Sequence, residues 1–443
     1  MTRRSEQLLF RWAPGLAGAV FYLLFAMLWL HAPQAYSRLV LITSAAPLEA
    51  RPFGDLGAVL QAAVCWREGV NVYAPSACMH GGVYNYAPFL LRMAYLPLGP
   101  REQMPGGLML GLLFLAALAW LPAPRSRDEL LFRICATCSQ TVILALERAN
   151  LDVVIFLMVM LSVMLLLANR WAALAGYAVL LLAAAMKFYP AALLALVLRE
   201  RRRQLFIVAV AALVCGLAYM LAFFKGTATA ISIIPGGMHF GGIFGAMDLP
   251  FGLVFLHFLP VFTLHPNLAL YMGVMRRPDV LPLRTLGIVI LTCAAVIVAG
   301  RTTPRYRQAF NGLGQKHGLL LLAGAMTMTF CFFAAQNISY RGIFMLLTLP
   351  GLWAMADHPG QAARQRLFLL ISAVFFLLWM DFWGDLVGVS AILLLKQSQQ
   401  AYPEFGYWLL AQCVWWWVII QFLAIIFCFL RETVAKLVSP AHG

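Results

Sequence analysis

Apolar stretches of about 20 residues recur along the whole chain, and that recurrence limits its fold more than any motif does. A backbone in lipid must satisfy its own polar groups, and runs of this length do so as helices. The chain therefore reads as an all-α polytopic membrane protein. Its 443 residues leave room for roughly 10–13 spans, at about 30–35 residues per span and connection.

Composition agrees. The chain is 63% hydrophobic and 11% charged, where a soluble domain runs near 45–50% and about 25%. That excludes an ordinary cytosolic enzyme, a disordered protein and a small disulfide scaffold. The net charge is +15, and 27 of the 32 basic residues are Arg. In a soluble protein such an excess points to nucleic acid. Here it reads as cytoplasmic connections and as attraction to anionic lipid or phosphate ligands, with no nucleic-acid partner expected. The opening MTRRSEQLLFRWAPG precedes a full-length apolar run without a small-residue cleavage site. It is expected to stay as a retained first helix.

Twelve spans are placed near 12–30, 104–121, 130–146, 151–168, 171–186, 188–199, 204–223, 283–300, 318–335, 342–356, 366–383 and 407–430. With both termini in the cytoplasm, 19 of the 32 basic residues fall in short cytoplasmic connections, as the positive-inside rule expects. Segments 86–98 and 251–264 are apolar but carry Pro or His. A helix of 13 residues, the length of the first, reaches only about 20 Å of a core about 30 Å thick. Both read as interfacial or re-entrant pieces on the outer side. Three outer segments are then large: 31–103, 224–282 and 384–406. No repeat or soluble domain is legible, so residues 1–443 read as one integral membrane domain.

Within the first outer segment, Leu56, Val59, Leu60, Ala63 and Val64 follow helical spacing and form one apolar stripe. The pattern predicts a juxtamembrane helix over about 55–68, lying on the membrane surface and stopping at Gly69. Asp55 stands at its start, either as its cap or as a general base. Cys65 and Cys78 share the segment. An oxidising compartment would permit a disulfide between them, and two free thiols are the alternative. Cys135 and Cys138 form a CxxC inside an apolar run without a second pair, which reads as packing.

Charges at membrane depth are costly and therefore functional candidates. Glu147, Arg148, Asn150 and Asp152 fall within six residues between two spans. There Glu147 or Asp152 could pair with Arg148, or Asn150 could cap a simple turn. Lys187 sits in Lys-Phe-Tyr-Pro between two short apolar runs, so it lies in a partly buried cavity or snorkels to the headgroups. Arg341, in Asn-Ile-Ser-Tyr-Arg, carries a planar fork suited to phosphate or to pairing with Glu147 or Asp152. Three cations on separate elements, below a carboxylate-bearing loop, suit a lipid-linked phosphate or pyrophosphate attacked by a hydroxyl. His239 lies in a glycine-rich outer loop that could close over a ligand or serve as a plain connector. Asp381 and Asp385 receive no specific role, and the Trp415-Trp416-Trp417 run reads as packing or lipid contact. No clustered acidic set is legible, so neither metal nor cofactor is expected.

Four of these segments resemble the polyprenyl-phosphate-dependent glycosyltransferases of family 87, which have the GT-C membrane fold. They are Gly54-Asp55-Leu56 with 66–73 and 84–88, then 146–152, then 184–190 ending in 199–203, and 337–341 through Leu349-Pro350. Their order and spacing look like the family over about 50–350. The resemblance implies an inverting transfer of a sugar, commonly mannose, from polyprenyl phosphate, with Asp55 in the place of the general base. Two positions depart from the family. Ala149 replaces the glycine of an Arg-Gly-Asn motif, and Tyr340-Arg341 stands where mannosyltransferase members often carry His.

The leading expectation is a glycosyltransferase of a bacterial inner membrane with its site facing the periplasm. Its partners would be a polyprenyl-phospho-sugar donor, a lipid or lipid-linked glycan acceptor, and membrane lipids. Arg148, Lys187 and Arg341 would hold the donor phosphate. Tyr84 and Tyr86 would stack on sugar or acceptor. Glu147, Asn150, Asp152, Tyr189, Asn337, Tyr340 and His239 would be further substrate contacts. Two other readings use the same charges: a transporter or flippase of an anionic or lipid-linked substrate, and a glycan polymerase or ligase using polyprenyl-pyrophosphate donors. Transporters commonly carry inverted repeats, and none is legible.

Overall fold

The computed structural model describes residues 3–42, 52–233, 242–255, 280–357, 361–396 and 399–438. Sixteen α-helices appear among them. They are α1 (Arg3–His31), α2 (Pro33–Ile42), α3 (Gly54–Arg67), α4 (Gln103–Ala117), α5 (Arg127–Thr137), α6 (Gln140–Glu147), α7 (Leu151–Ala168) and α8 (Arg170–Met186). After these come α9 (Arg202–Ile233), α10 (Asp248–Phe255), α11 (Val280–Asn311), α12 (Gln315–Ala334), α13 (Met345–Ala356), α14 (Gln361–Leu378), α15 (Met380–Leu394) and α16 (Ala401–Val438). The only strands among the described residues are β1 (Ile243–Phe244) and β2 (Asn337–Ile338), which pair antiparallel with Ile243 opposite Ile338.

The described chain is all-α and membrane-like. Seven of its helices are long and apolar enough to cross a membrane, or nine if two bent pairs each count as one span. The region expected as a span near 130–146 is such a pair: α5 and α6 meet at 41°. The other is α14 with α15, bent by 63°. The first part of the expected outer segment 384–406 is helical, as the end of α15. The expected span at 188–199 is corrected. It is a 3₁₀ helix, Tyr189–Arg199, of 11 residues, and at about 2.0 Å per residue it reaches only about 22 Å. Pro190, at its start, breaks continuity with α8. Segment 86–98 carries another short 3₁₀ helix, Pro88–Tyr95, too short to cross, as expected. Of 251–264, only the first residues are described, at the end of α10; residues 256–279 lie outside the described set.

The core forms around α12, whose residues Leu319–Thr329 are all buried. Gly324 lets α13 approach closely: a Cβ there would stand 2.8 Å from the Phe344 carbonyl oxygen. In contrast, α9 and α11 expose most of their apolar side chains, Leu221 among them, as helices facing lipid do. Side-chain caps set several helix starts. Asn150 accepts from the Asp152 N–H (2.9 Å) to open α7, Asn169 accepts from the Trp171 N–H (3.0 Å) to open α8, and Ser126 accepts from the Glu129 N–H (3.2 Å) to open α5. Trp415 stacks on Phe244 at 4.0 Å and 12°, so the tryptophan run of α16 packs inward.

Candidate functional site

The site is built where α6 ends and α7 begins. Between them Ala149 adopts φ 43°, a left-handed turn. Glycine takes this conformation without steric cost, and alanine does not. The turn releases Arg148 to one side and Asn150 to the other. α3 docks on the same corner, head to tail. The Phe53 N–H donates to the Glu147 carbonyl (2.6 Å), and the Asp55 N–H donates to the Arg148 carbonyl (3.1 Å). Donors with no partner inside α3 thus meet acceptors with none inside α6, and each helix end satisfies the other. Phe53 pays for this docking with φ 65°.

This docking fixes Asp55. Its side chain does not cap α3, since no side chain caps that helix and Phe53 is the residue before it. Instead Arg148 grips the carboxylate with both arms: Nη2 to Oδ1 at 2.7 Å and Nε to Oδ2 at 3.0 Å. The Asn150 amide also donates to Oδ2. A carboxylate offers about four lone-pair directions, so one on Oδ1 is left for an incoming hydroxyl. The expected pairing of Arg148 with Glu147 or Asp152 is therefore corrected. Asp55 holds Arg148, and Glu147 Oε1 accepts from the Tyr36 hydroxyl at 2.5 Å.

From Asn150 the network continues inward. Its Oδ1 accepts from Lys187 Nζ at 3.3 Å. Asp152 is fully enclosed and receives Lys187 Nζ (2.6 Å) and the Tyr189 hydroxyl (2.5 Å) on one oxygen, and Arg341 Nε (3.3 Å) on the other. Arg341 donates further to Asn337 Oδ1. Asn337 in turn donates to the Cys331 carbonyl at 2.7 Å, which ties it to the end of α12. Lys187 lies 5.8 Å from the Tyr86 ring centre, and Arg341 lies 5.7 Å from that of Tyr189. Burial opposes the charge on Arg341, but Asp152 overcomes it and raises its pKa above the ordinary value. Burial also holds the Tyr86 and Tyr340 phenols well above theirs, so they remain donors.

The exposures separate roles. Asp152 exposes none of its side chain, whereas Arg341 keeps 18% and Lys187 11% accessible. The cations can meet a ligand and their counter-charge cannot. Tyr84 is nearly fully buried behind Tyr86, with its hydroxyl on the Ala87 carbonyl. It supports Tyr86 and does not itself face the site. His239 lies outside the described residues.

The helix carrying Asp55 is less one-sided than its predicted stripe. Ala62 and Cys65 are buried as well as Val59, Leu60 and Ala63, because segment 88–95 packs on its other flank. Cys65 and Cys78 form a disulfide, which closes the loop behind this helix.

Sequence reasoning missed the wall behind Arg341. β1 pairs with β2, and the Ser339 N–H donates to the Gly242 carbonyl at 2.7 Å. Asp248 accepts from Gln336, and Asp381 accepts from the Ser339 hydroxyl. Burial pushes the Asp248 carboxyl up to about 7, against the hydrogen bond from Gln336. Tyr36 was missed too, because no spacing signal links it to Glu147, 111 residues away.

No protein-family model, curated protein or solved structure matches this chain.

Proposed function

We propose that this chain is a membrane glycosyltransferase of GT-C type. In this reading it is a multi-pass protein of a bacterial inner membrane and its site faces the periplasm. It moves a sugar, with inversion, from polyprenyl phosphate to a lipid or lipid-linked glycan. The observation that carries the reading is the convergence of the four motif segments. Asp55, Asn150, Lys187, Asp152, Arg341 and Asn337 join through successive direct contacts into one network.

The network has a chemical polarity. Around Asp152 two cations face one enclosed carboxylate, so the accessible surface carries excess positive charge for a donor phosphate. Asp55 stands across Asn150 with one lone-pair direction open to the acceptor hydroxyl. That hydroxyl attacks the anomeric carbon from the face opposite the phosphate. The new glycosidic bond forms as the anomeric C–O bond to phosphate breaks. Asp55 takes the hydroxyl proton late in the step, and Lys187 and Arg341 receive the charge left on polyprenyl phosphate. The Cys65–Cys78 disulfide supports an oxidising compartment for the loop that bears Asp55.

The test is to incubate the purified protein in nanodiscs with a panel of short-chain polyprenyl-phospho-sugars and a lipid acceptor. Mass spectrometry should detect free polyprenyl phosphate, released only when acceptor is present and Asp55 is intact. Absence of turnover with every monophosphate donor in a folded sample would overturn the reading in favour of pyrophosphate donors or transport.

A further inference from the structure

An apolar cleft, open on one side, runs beside the site along α1, α4, α5 and α6. One end lies where Gly18 meets Thr137, and the other where Tyr36 donates to Glu147. Between them the walls are apolar, with Phe21, Phe25, Ala26, Val142 and Ile143 among the lining residues. From Gly18 to Trp29 the lining follows α1 for about 16 Å, at about 1.5 Å per residue. The Asp55 end is thus the polar end. Glu147 lines the cleft, its carbonyl receives the Phe53 N–H, and the next residue, Arg148, holds Asp55. Among the described residues Tyr36 donates to Glu147 Oε1 at 2.5 Å, and Glu147 forms none of the ion pairs.

We infer that this cleft holds the hydrocarbon chain of the acceptor, and that the acceptor is a hydroxyl-headed lipid whose head lies at Glu147. This deepens the proposed function and rests on it for the word acceptor. The occupant follows from chemistry. Apolar walls on both sides suit a hydrocarbon chain, and Phe21, 37% exposed, leaves one flank of the wall open. At the polar end a phosphate head would meet a carboxylate and be repelled, whereas a hydroxyl can donate to it. The donor phosphate has its cations on the far side of Asp55. The two lipid substrates would therefore approach from opposite flanks of the same carboxylate. Tyr36 acts as a positioning residue by fixing the Glu147 rotamer.

The test uses a photoreactive long-chain alcohol on the full-length protein in nanodiscs, with the matching alkane and long-chain phosphate as comparison probes. Labelling should map to peptides from α1 and α6, with the alcohol preferred over both other probes. Ala26→Trp fills the cleft and should abolish that labelling. Glu147→Ala should abolish only the preference for alcohol. Ile143→Trp, from the opposite wall, serves if Ala26→Trp fails to fold by size-exclusion chromatography. Equal labelling in a folded cleft-filling variant would overturn the inference, and so would equal labelling by all three probes. The two readings fail separately. Specific alcohol labelling without sugar transfer would sink the transferase alone. Transfer with an unchanged KM for a lipid acceptor in Ala26→Trp would sink the cleft alone.

Discussion

The two carboxylates of the site, Asp55 and Asp152, stand on either side of Asn150 and are held in opposite ways. Asp55 has a single cation, Arg148, and lies at the mouth of the site. Asp152 has two, Lys187 and Arg341, adds the Tyr189 hydroxyl, and is wholly enclosed. One half is charge-neutral with a carboxylate oxygen in reach. The other is net positive with only its cations in reach. A displacement at a sugar phosphate needs this asymmetry, because the hydroxyl needs an acceptor for its proton and the departing phosphate needs positive charge.

Removing the enclosed carboxylate should have the largest effect. Asp152→Ala strands two buried cations, which should cost about 3–5 kcal/mol of stability. Asp55→Ala strands one that is part-exposed, and should cost clearly less. Thermal unfolding in one detergent compares them, and equal losses would erase the distinction between the halves.

The wall behind the cationic half should show itself in pH. Asp248 has a carboxyl raised to about 7 by burial, from an ordinary 3.8. Its contribution to stability is fully present below about 3.8 and is lost as pH rises through about 7. The loss should run at up to about 1.4 kcal/mol per pH unit between these values. Asp248→Asn should flatten that part of the stability profile. A profile unchanged by the substitution would remove Asp248 from the account.

Arg341→Lys sharpens the comparison from the ligand's side. Lysine keeps the charge but cannot serve Asp152 and Asn337 through a planar fork. Loss of one charged hydrogen bond is worth about 1.5–3 kcal/mol, or about 10- to 150-fold in polyprenyl phosphate binding. Binding by calorimetry with no change would show that the fork does not position the cation.

The smallest effect is expected at Ala149, on the corner joining the halves. Its left-handed φ of 43° is a conformation that glycine takes freely. Ala149→Gly should stabilise the protein by about 1 kcal/mol. A fall in melting temperature would mean that the alanine methyl does more by packing than it costs in strain.

Much of this was legible beforehand. Hydropathy alone located most of the long helices. Helical spacing and Gly69 placed a helix over about 55–68, and α3 runs from Gly54 to Arg67. The four motif segments did converge. Their partners were not legible, because pairing depends on packing between distant residues: Arg148 and Asp55 are 93 positions apart, and Arg341 and Asp152 are 189. Nor does apolar composition separate a span from a 3₁₀ piece such as Tyr189–Arg199, or reveal the bend between α14 and α15. The small sheet joining 243–244 to 337–338 has two residues per strand and leaves no periodic signal.

The most direct test of the division between the halves is Asp55→Asn, assayed for donor binding and for transfer in the same preparation. The account predicts that polyprenyl phosphate binds as it does to the wild type while sugar transfer falls by at least about 100-fold. Full transfer in Asp55→Asn, or loss of donor binding alongside it, would contradict the assignment of proton acceptance to one carboxylate and phosphate holding to the cations around the other.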